Sequence, residues 1–325
     1  MRIVVTHSDA IRATPPDGYA GIARIAWATA CEFANLGARV RLFAPRLAAD
    51  ASVYAAIEEV VEGWPREGAL READAVYVMD ADAMVRSGDA LRGYRGGPIV
   101  LEENAPWLWP PQGGPLFHVV YRADRLPHYP AGRAWLCDQV VSRDEVGPPG
   151  PPEGYVLWMG RIHAEKGIES LLTFAYALPQ VPIVVAGPEQ TRRHRWPPNV
   201  QLVGEVSGEA KRKLFVGADA LLYTVSAMWT GAGEGVLTEA IACGIPVLAQ
   251  TFSRGTPATR LVIDGWNGFT HPDAGALARL YPHALDLDRG AIHRHAWARL
   301  APEVVAADRL RRIAEARHSL GLSAV

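Results

Sequence analysis

The segment with the clearest chemical potential is Tyr155–Ile168, which reads YVLWMGRIHAEKGI. Its apolar start predicts a strand that ends at Met159, and Gly160 permits a tight turn after it. Arg161 and Lys166 then flank the expected start of a helix, where unpaired N–H groups and a partial positive charge favour anions. The pattern indicates a cradle for a diphosphate, although two solvated surface cations would give the same sequence.

A second segment, Gly231–Gln250, joins a glycine-rich turn to a short helix and a strand in the sequence GAGEGVLTEAIACGIPVLAQ. Such glycines allow backbone amides to approach a ligand closely. Glu239 lies about one turn inside the expected helix, where its carboxylate could accept hydrogen bonds from a ribose diol. A glutamate in a first helical turn also complements the helix dipole without a ligand, so both interpretations stay open.

A third loop, Pro15–Ile22 (PPDGYAGI), lies between the first expected strand and its helix. Gly18 and Gly21 open this helix N-terminus, which makes the loop a further candidate for anion binding, although a bare turn is the simpler interpretation of it alone. The loop does not have the Gly-x-Gly-x-x-Gly spacing of dinucleotide-binding turns, which disfavours a Rossmann dehydrogenase.

Short apolar runs alternate with helical stretches along the chain, a pattern typical of buried parallel sheets. In the first half, the expected strands are Arg2–Thr6, Arg39–Ala44, Ala75–Met79, Pro98–Leu101 and Ala134–Val141, with a helix at Ile22–Leu36. In the second half, they are Tyr155–Met159, Ile183–Ala186, Val200–Val203, Ala220–Thr224 and Pro246–Ala249, with a helix at Ile168–Leu178.

These elements predict an α/β fold with two facing, doubly wound domains. The segment Gly147–Gly154 (GPPGPPEG) cannot form a helix or a central strand and is the expected linker. Residues 1–150 are predicted to form an N-terminal Rossmann-like domain and residues 151–305 a C-terminal one. Ligands of such sheets bind outside the carboxyl ends of the strands, so the expected site is a cleft between the domains.

Length, charge and cysteine content exclude several classes of function. A chain of 325 residues favours two domains over one, and a formal net charge of -2 argues against a nucleic-acid partner. The three cysteines are too few and too scattered for a disulfide framework. The N-terminus lacks a signal-peptide pattern, and no apolar run is long enough to span a membrane. We therefore expect a cytoplasmic protein, with a peripheral membrane contact left open.

Several runs together resemble the family-4 glycosyltransferases of the GT-B fold, which are retaining and use nucleotide-sugar donors. The resemblance is specific over Tyr155–Phe269, in the runs GRIHAEKGI, VVAGPE, NVQLVGEV, GADALLYT, TEAIACGIPVLA and DGWNGF. It is weaker in the first half, in PPDGYAGI and LGARVRLFA. The arginine-rich C-terminus resembles the GT-B helix that packs back on the first domain, which implies this role for residues 306–325.

The resemblance implies a role for each matching residue. Arg161 and Lys166 would bind the donor diphosphate and stabilise its departing charge, and Glu239 would hold the nucleotide ribose. Gly21 would contact the diphosphate through its backbone, and Gly187, Gly204 and Val206 would form part of the base-binding wall. The full set of implied donor-binding residues is Gly18, Gly21, Gly187, Gly204, Val206, Gly235, Val236, Leu237 and Glu239.

One position departs from the family. The family often has two glutamates separated by seven residues, of which the second holds the ribose; with Glu239 as the second, the first position is occupied by Gly231. Glu234 could take over its catalytic role if the loop is shortened; otherwise the contact with the donor sugar is lost. The candidates for an acceptor-side base are Glu103 and His118, although each is also explained as an ordinary hydrogen-bonded residue. Glu102 and Glu103 point in opposite directions in an extended chain, so at most one could face an acceptor.

The resemblance therefore implies a hexosyltransferase-like enzyme that moves a sugar from a nucleoside-diphosphate sugar, UDP- or GDP-linked, to an acceptor hydroxyl. The acceptor could be a small molecule, a glycan or a lipid-linked sugar, and neither a metal nor another cofactor is expected. The motif Asp80–Asp82 (DAD) resembles a metal motif of another glycosyltransferase fold but is too short to be specific. A non-catalytic sugar-nucleotide or glycan-binding protein and a GT-B nucleotide-sugar epimerase remain as alternatives.

Overall fold

The computed structural model describes residues 1–10, 13–15, 21–48, 56–103, 114–189, 194–227, 235–252 and 256–322. The chain divides into two compact units. Unit 1 contains Met1–Val140 and Pro302–Val325, and unit 2 contains Val141–Thr230 and Glu234–Ala301. The proline-rich segment Gly147–Gly154 thus lies within unit 2, and the C-terminal residues belong to unit 1.

Within its described residues, unit 1 has one seven-stranded parallel sheet with the strand order β3-β2-β1-β4-β5-β6-β7. The strands are β1 (Arg2–Thr6), β2 (Arg39–Ala44), β3 (Glu59–Glu62), β4 (Ala75–Val78), β5 (Ile99–Glu102), β6 (Leu116–Val120) and β7 (Ala134–Leu136).

The described part of unit 2 has a six-stranded parallel sheet with the order β10-β9-β8-β11-β12-β13. Its strands are β8 (Val156–Met159), β9 (Ile183–Ala186), β10 (Val200–Gly204), β11 (Ala220–Tyr223), β12 (Val247–Gln250) and β13 (Gly268–His271). The first strand of each unit lies in the middle of its sheet, as in doubly wound nucleotide-binding folds.

Helices cover both faces of each sheet. In chain order they are α1 (Ile22–Asn35), α2 (Glu67–Leu70), α3 (Ala81–Arg86), α4 (Gly88–Gly93), α5 (Ile168–Ala177), α6 (Gly208–Gly217), α7 (Gly235–Ala242), α8 (Pro257–Leu261), α9 (Ala274–Leu285), α10 (Arg289–Leu300) and α11 (Pro302–Ser319). Short 3-10 helices occupy Ala123–His128, Arg143–Glu145 and Ala164–Lys166.

The alternation of side chains along β1 shows how the sheet of unit 1 is buried on both faces. Ile3 and Val5 belong to the apolar cluster that also contains Phe33 of α1 and Ile313 of α11. Val4 points to the opposite cluster, which is built with α2 and α4. Burial on both faces explains why the strands read as continuous apolar runs rather than as alternating ones.

The predicted pair of parallel α/β sheets is confirmed, with two kinds of difference in detail. Three strands were not predicted: β3 is a half-exposed edge strand with glutamates at both ends, β6 has a histidine in its centre, and β13 is a half-buried edge strand that begins with glycine and ends with histidine. The predicted strand Ala134–Val141 was too long, because pairing ends at Leu136 and the carbonyl of Asp138 instead accepts a hydrogen bond from Arg309 Nη2 at 2.6 Å. None of the described helices is long and apolar enough to cross a membrane.

Candidate functional site

The turn after β8 places both predicted diphosphate-binding cations at the carboxyl end of the unit 2 sheet. Arg161 and Lys166 are half-exposed, and Lys166 ends the 3-10 turn Ala164–Lys166 directly before α5. Arg161 Nη2 lies 3.4 Å from Glu165 Oε2, and the Arg161 side chain is 31% exposed. The two positive side chains are therefore presented at the edge where ligands of doubly wound sheets bind.

Three hydrogen bonds fix this turn against the end of β11. Trp158 Nε1 donates to Thr224 Oγ1 at 2.8 Å, and the Thr224 hydroxyl donates in turn to the carbonyl of Lys166 at 2.7 Å. The amide of Ser226 donates to the carbonyl of Glu165 at 2.9 Å. The backbone that carries Lys166 is therefore held in place by buried partners, which preorganises the cation for an anionic ligand.

Gly167 allows the turn to approach β11 so closely. Its φ of +67° is the left-handed conformation that glycine adopts without strain, and a Cβ there would lie 2.8 Å from the amide nitrogen of Val225. Any other residue would push the Lys166 turn away from the end of β11.

The loops after β9 and β10 adjoin the same turn. Gly160 donates to the carbonyl of Ala186 at 3.0 Å, and Gly187 donates to the carbonyl of Gly204 at 2.7 Å. A Cβ on Gly187 would lie 1.9 Å from the Gly160 carbonyl oxygen, so close backbone packing alone requires glycine there. Gly204, by contrast, has φ +74° with open space around it. Val206 is half-buried against the core of unit 2.

Glu239 lies one turn inside α7 and is almost fully buried, at 5% exposure. Lys211 Nζ of α6 donates to its Oε1 at 2.6 Å. The predicted donor-binding residues Gly235, Val236 and Leu237 form the first turn of the same helix, where Leu237 is part of the core and Val236 packs against it.

Sequence patterns did not point to Lys211 or to its second partner, Glu145, whose Oε2 lies 2.9 Å from Lys211 Nζ. Residues 145 and 239 are far from 211 in sequence, so no local motif links them. The scarcity of lysine in the chain is the only sequence signal that could have directed attention to this residue.

In unit 1, Gly21 directly precedes α1 in open space, because a Cβ added there would meet no atom within 4 Å. The amide of Ala23 in the first turn of α1 donates to Asp9 Oδ2 at 3.2 Å, so a carboxylate from the segment after β1 already contacts this helix N-terminus. Gly18, Gly231 and Glu234 lie outside the described residues, and their predicted roles stay predictions.

The two candidates for an acceptor-side base, Glu103 and His118, are brought together. His118 Nδ1 lies 2.8 Å from Glu103 Oε1, to which the Tyr129 hydroxyl also donates. Arg125 Nη1 lies 3.6 Å from Glu103 Oε2. His118 and Glu103 are only 1% and 4% exposed, so they belong to a buried cluster. Burial and the neighbouring carboxylate of Glu103 raise the pKa of Tyr129 in this cluster.

Glu102 points to a different cluster. It accepts from the hydroxyls of Tyr77 and Tyr121, and Arg309 Nη1 of α11 lies 2.9 Å from its Oε2. Adjacent glutamates thus serve separate buried clusters, as expected for neighbouring residues of an extended chain.

His7 follows β1 and is fully buried. Its Nε2 lies 3.1 Å from Thr14 Oγ1. Burial lowers the pKa of His7 from 6.5 to about 4, because desolvation outweighs the opposing effect of Asp9 and Asp80. The imidazole is therefore neutral near pH 7.

Asp80 of the short Asp80–Asp82 motif has a structural role. Its Oδ1 caps α3 by accepting from the amide of Ala83 at 2.8 Å, and its Oδ2 accepts from the amide of Ser8 at 2.8 Å. Among the described residues, no group of three or more histidine, cysteine, aspartate or glutamate side chains is arranged to hold a metal ion.

Comparison with known proteins gives a domain family and a fold. Residues 153–285 match the family model described as glycosyl transferases group 1, whereas no curated protein sequence matches significantly. Among solved structures, AviGT4, "a glycosyltransferase involved in Avilamycin A biosynthesis", superposes with a TM-score of 0.74 at 21% identity, covering 98% of this chain and 97% of that one.

Two further structures superpose over nearly the whole chain. Sucrose-phosphate synthase from Thermosynechococcus elongatus has a TM-score of 0.68 at 16% identity, covering 99% of this chain and 100% of that one. An alpha-glucosyltransferase "in complex with UDP and a 13-mer DNA" has a TM-score of 0.63 at 11% identity, covering 96% of this chain and 99% of that one. The two parallel α/β units therefore form the GT-B fold.

Proposed function

We propose that this protein transfers a sugar from a nucleoside-diphosphate sugar to an acceptor hydroxyl, because residues 153–285 match the model of group 1 glycosyl transferases and the chain has the GT-B fold. The observation that carries the proposal is the anchored turn with Arg161 and Lys166 at the carboxyl end of β8. It lies inside the matched domain, and its two cations suit a diphosphate.

In this mechanism, the bond between the anomeric carbon and the diphosphate oxygen breaks, and the acceptor oxygen forms a new bond to the same carbon. The proton of the acceptor hydroxyl passes to the departing diphosphate, which leaves as the nucleoside diphosphate. Arg161 and Lys166 meet the negative charge that develops on the departing diphosphate, an electrostatic contribution that is often the largest in catalysis. Because the two cations are part of the chain, we propose that the reaction needs no metal. We further propose that the sugar retains its configuration and that Glu239 holds the ribose.

The nucleotide is proposed to be UDP or GDP. UDP is the nucleotide bound in the alpha-glucosyltransferase structure of the same fold. The acceptor is proposed to be a hydroxyl of a small molecule, a glycan or a lipid-linked sugar.

A thermal-shift screen with UDP, GDP, ADP and dTDP tests the donor site. A nucleotide at about a hundred times its dissociation constant should add about 2.7 kcal/mol to the free energy of unfolding. Lys166→Ala removes one charge-assisted contact and should weaken binding by about 10- to 100-fold. Lys213→Ala is the control, since Lys213 is an exposed lysine of α6 paired with Glu209, and it should bind like the wild type. If no nucleotide stabilises the folded wild-type protein at millimolar concentration, the proposal fails.

A further inference from the structure

Three buried charged side chains are in contact in unit 2, and each comes from a different element. Lys211 Nζ of α6 donates to Glu239 Oε1 of α7 at 2.6 Å and to Glu145 Oε2 at 2.9 Å. The side chains of Lys211, Glu145 and Glu239 are 8%, 0% and 7% exposed. Buried charges are costly unless they are paired and hydrogen-bonded, so this arrangement calls for an explanation beyond simple packing.

Both carboxylate oxygens of Glu145 accept hydrogen bonds from α6. Its Oε1 accepts from the amide of Gly208 in the first turn of α6 at 3.1 Å, where the helix dipole favours a negative charge. Both oxygens of Glu145 are thus engaged by α6, one by its backbone and one by Lys211. This double attachment restricts where the ammonium group of Lys211 can lie.

Only one carboxylate oxygen of Glu239 is held by this group. Its Oε1 accepts from Lys211, whereas its Oε2 has no hydrogen-bond partner among the residues that the structure describes. A carboxylate that is held through one oxygen keeps acceptor capacity on the other. That second oxygen has the capacity to accept a hydrogen bond from a ligand hydroxyl.

We propose that Lys211, itself held by Glu145, is a positioning residue that orients the Glu239 carboxylate toward a ribose hydroxyl of the donor nucleotide. The site thereby distinguishes ribonucleotides from deoxyribonucleotides. This inference rests on the proposed function, because it assumes that Glu239 faces the nucleotide ribose. It adds two residues, Lys211 and Glu145, that contact no substrate but determine how strongly the site prefers ribose over deoxyribose.

The experiment measures dissociation constants by calorimetry for UDP and GDP and for their 2′-deoxy and 3′-deoxy counterparts. In the wild-type protein, loss of the hydroxyl that Glu239 binds should weaken the preferred nucleotide by about 10- to 100-fold. In Lys211→Met, this ratio should fall to about threefold or less, because the carboxylate is no longer oriented. A purely structural role would weaken both nucleotides equally and leave the ratio unchanged.

Lys213→Met is the matched control. Lys213 lies two residues further along the same helix and is exposed, with its ammonium group 3.1 Å from Glu209 Oε1. This variant loses the same charge from the same helix and should keep the wild-type ratio.

A second variant guards against misfolding, since Lys211→Met leaves two buried carboxylates without their cation. The double variant Lys211→Met/Glu145→Met removes one carboxylate together with the lysine, an exchange that proteins often tolerate, and it should also lose the preference for ribose.

A folded variant that keeps the wild-type ratio overturns the proposal, and so does failure of both variants to fold, which would assign the group to fold stability. A wild-type protein that binds UDP or GDP and its deoxy forms equally also overturns it while leaving the proposed function intact. If the wild type binds no nucleotide at all, the proposed function itself fails.

Discussion

His7 illustrates how a single buried side chain can make the stability of this protein depend on pH. The folded protein binds a proton on His7 only near its pKa of about 4, whereas the unfolded chain binds one near 6.5. The unfolded state therefore gains protons first as the pH falls, and stability is lost between about pH 6.5 and pH 4. Above pH 6.5, both states are neutral at this position and the contribution is constant.

We expect the free energy of unfolding of unit 1 to fall by about 1.4 kcal/mol more in the wild type than in His7→Gln between pH 7.5 and pH 5.5. Urea-dependent hydrogen exchange of peptides that cover β1 measures this quantity. His318→Gln, at an exposed position of α11, should keep the wild-type slope. Equal slopes for wild type and His7→Gln would show that His7 does not titrate as its burial implies.

The residues of the candidate site differ in how far sequence could reveal them. Arg161, Lys166 and Glu239 sit in short motifs next to helix starts, so local pattern was enough to select them. Lys211 contacts Glu145 from 66 positions away, and only the folded sheet order brings them together. Gly187 was predicted to contact a ligand, but its packing against Gly160 already requires glycine, so its sequence identity alone does not report on binding.

Among the elements, α11 shows how a C-terminal helix is secured to unit 1. Its apolar face joins the cluster on β1 and α1 through Ala306 and Ile313. Arg309, 1% exposed, adds polar contacts from the centre of the helix to Glu102 at 2.9 Å and to the Asp138 carbonyl at 2.6 Å. The guanidinium is the cation that balances the buried carboxylate of Glu102.

Arg309→Met should therefore destabilise unit 1 by about 3–5 kcal/mol, because it leaves Glu102 buried without its cation. Arg311→Met on the same helix removes an exposed arginine paired with Asp308 and Glu315 and should change stability by less than about 0.5 kcal/mol. Urea denaturation followed by hydrogen exchange of α11 peptides measures both. An Arg309→Met protein as stable as Arg311→Met would contradict this view of α11.

Sequence predicted most of the elements because buried strands and amphipathic helices have local periodicity. The strands it missed lack that signal: β6 carries His118 in its centre, and β3 begins and ends with a glutamate at the sheet edge. The end of β7 was misplaced because the apolar run continues past Leu136 while hydrogen bonding to β6 does not. Pairing partners, rather than composition, set such boundaries.

At the level of the whole chain, both units repeat one plan: the first strand is central, and the chain winds outward from it in each direction. The alternation of strands and helices predicted parallel sheets, and the resemblance predicted the GT-B fold. Strand order depends on pairing between distant segments, so the apolar pattern alone did not contain it. The same plan places the turn after β8 at the carboxyl edge of its sheet, where the proposed chemistry takes place.

The most direct measurement of the central claim is phosphorus NMR of the protein with UDP-glucose, UDP-N-acetylglucosamine and GDP-mannose, with glycerol as a simple acceptor hydroxyl. We expect UDP or GDP to be released from at least one donor faster than without protein. Release should fall by at least about 100-fold in Arg161→Ala/Lys166→Ala and should persist in Lys213→Ala. Donors that stay intact with folded wild-type protein, or a sugar that epimerises without release of the nucleotide, would contradict the assignment of a glycosyltransferase.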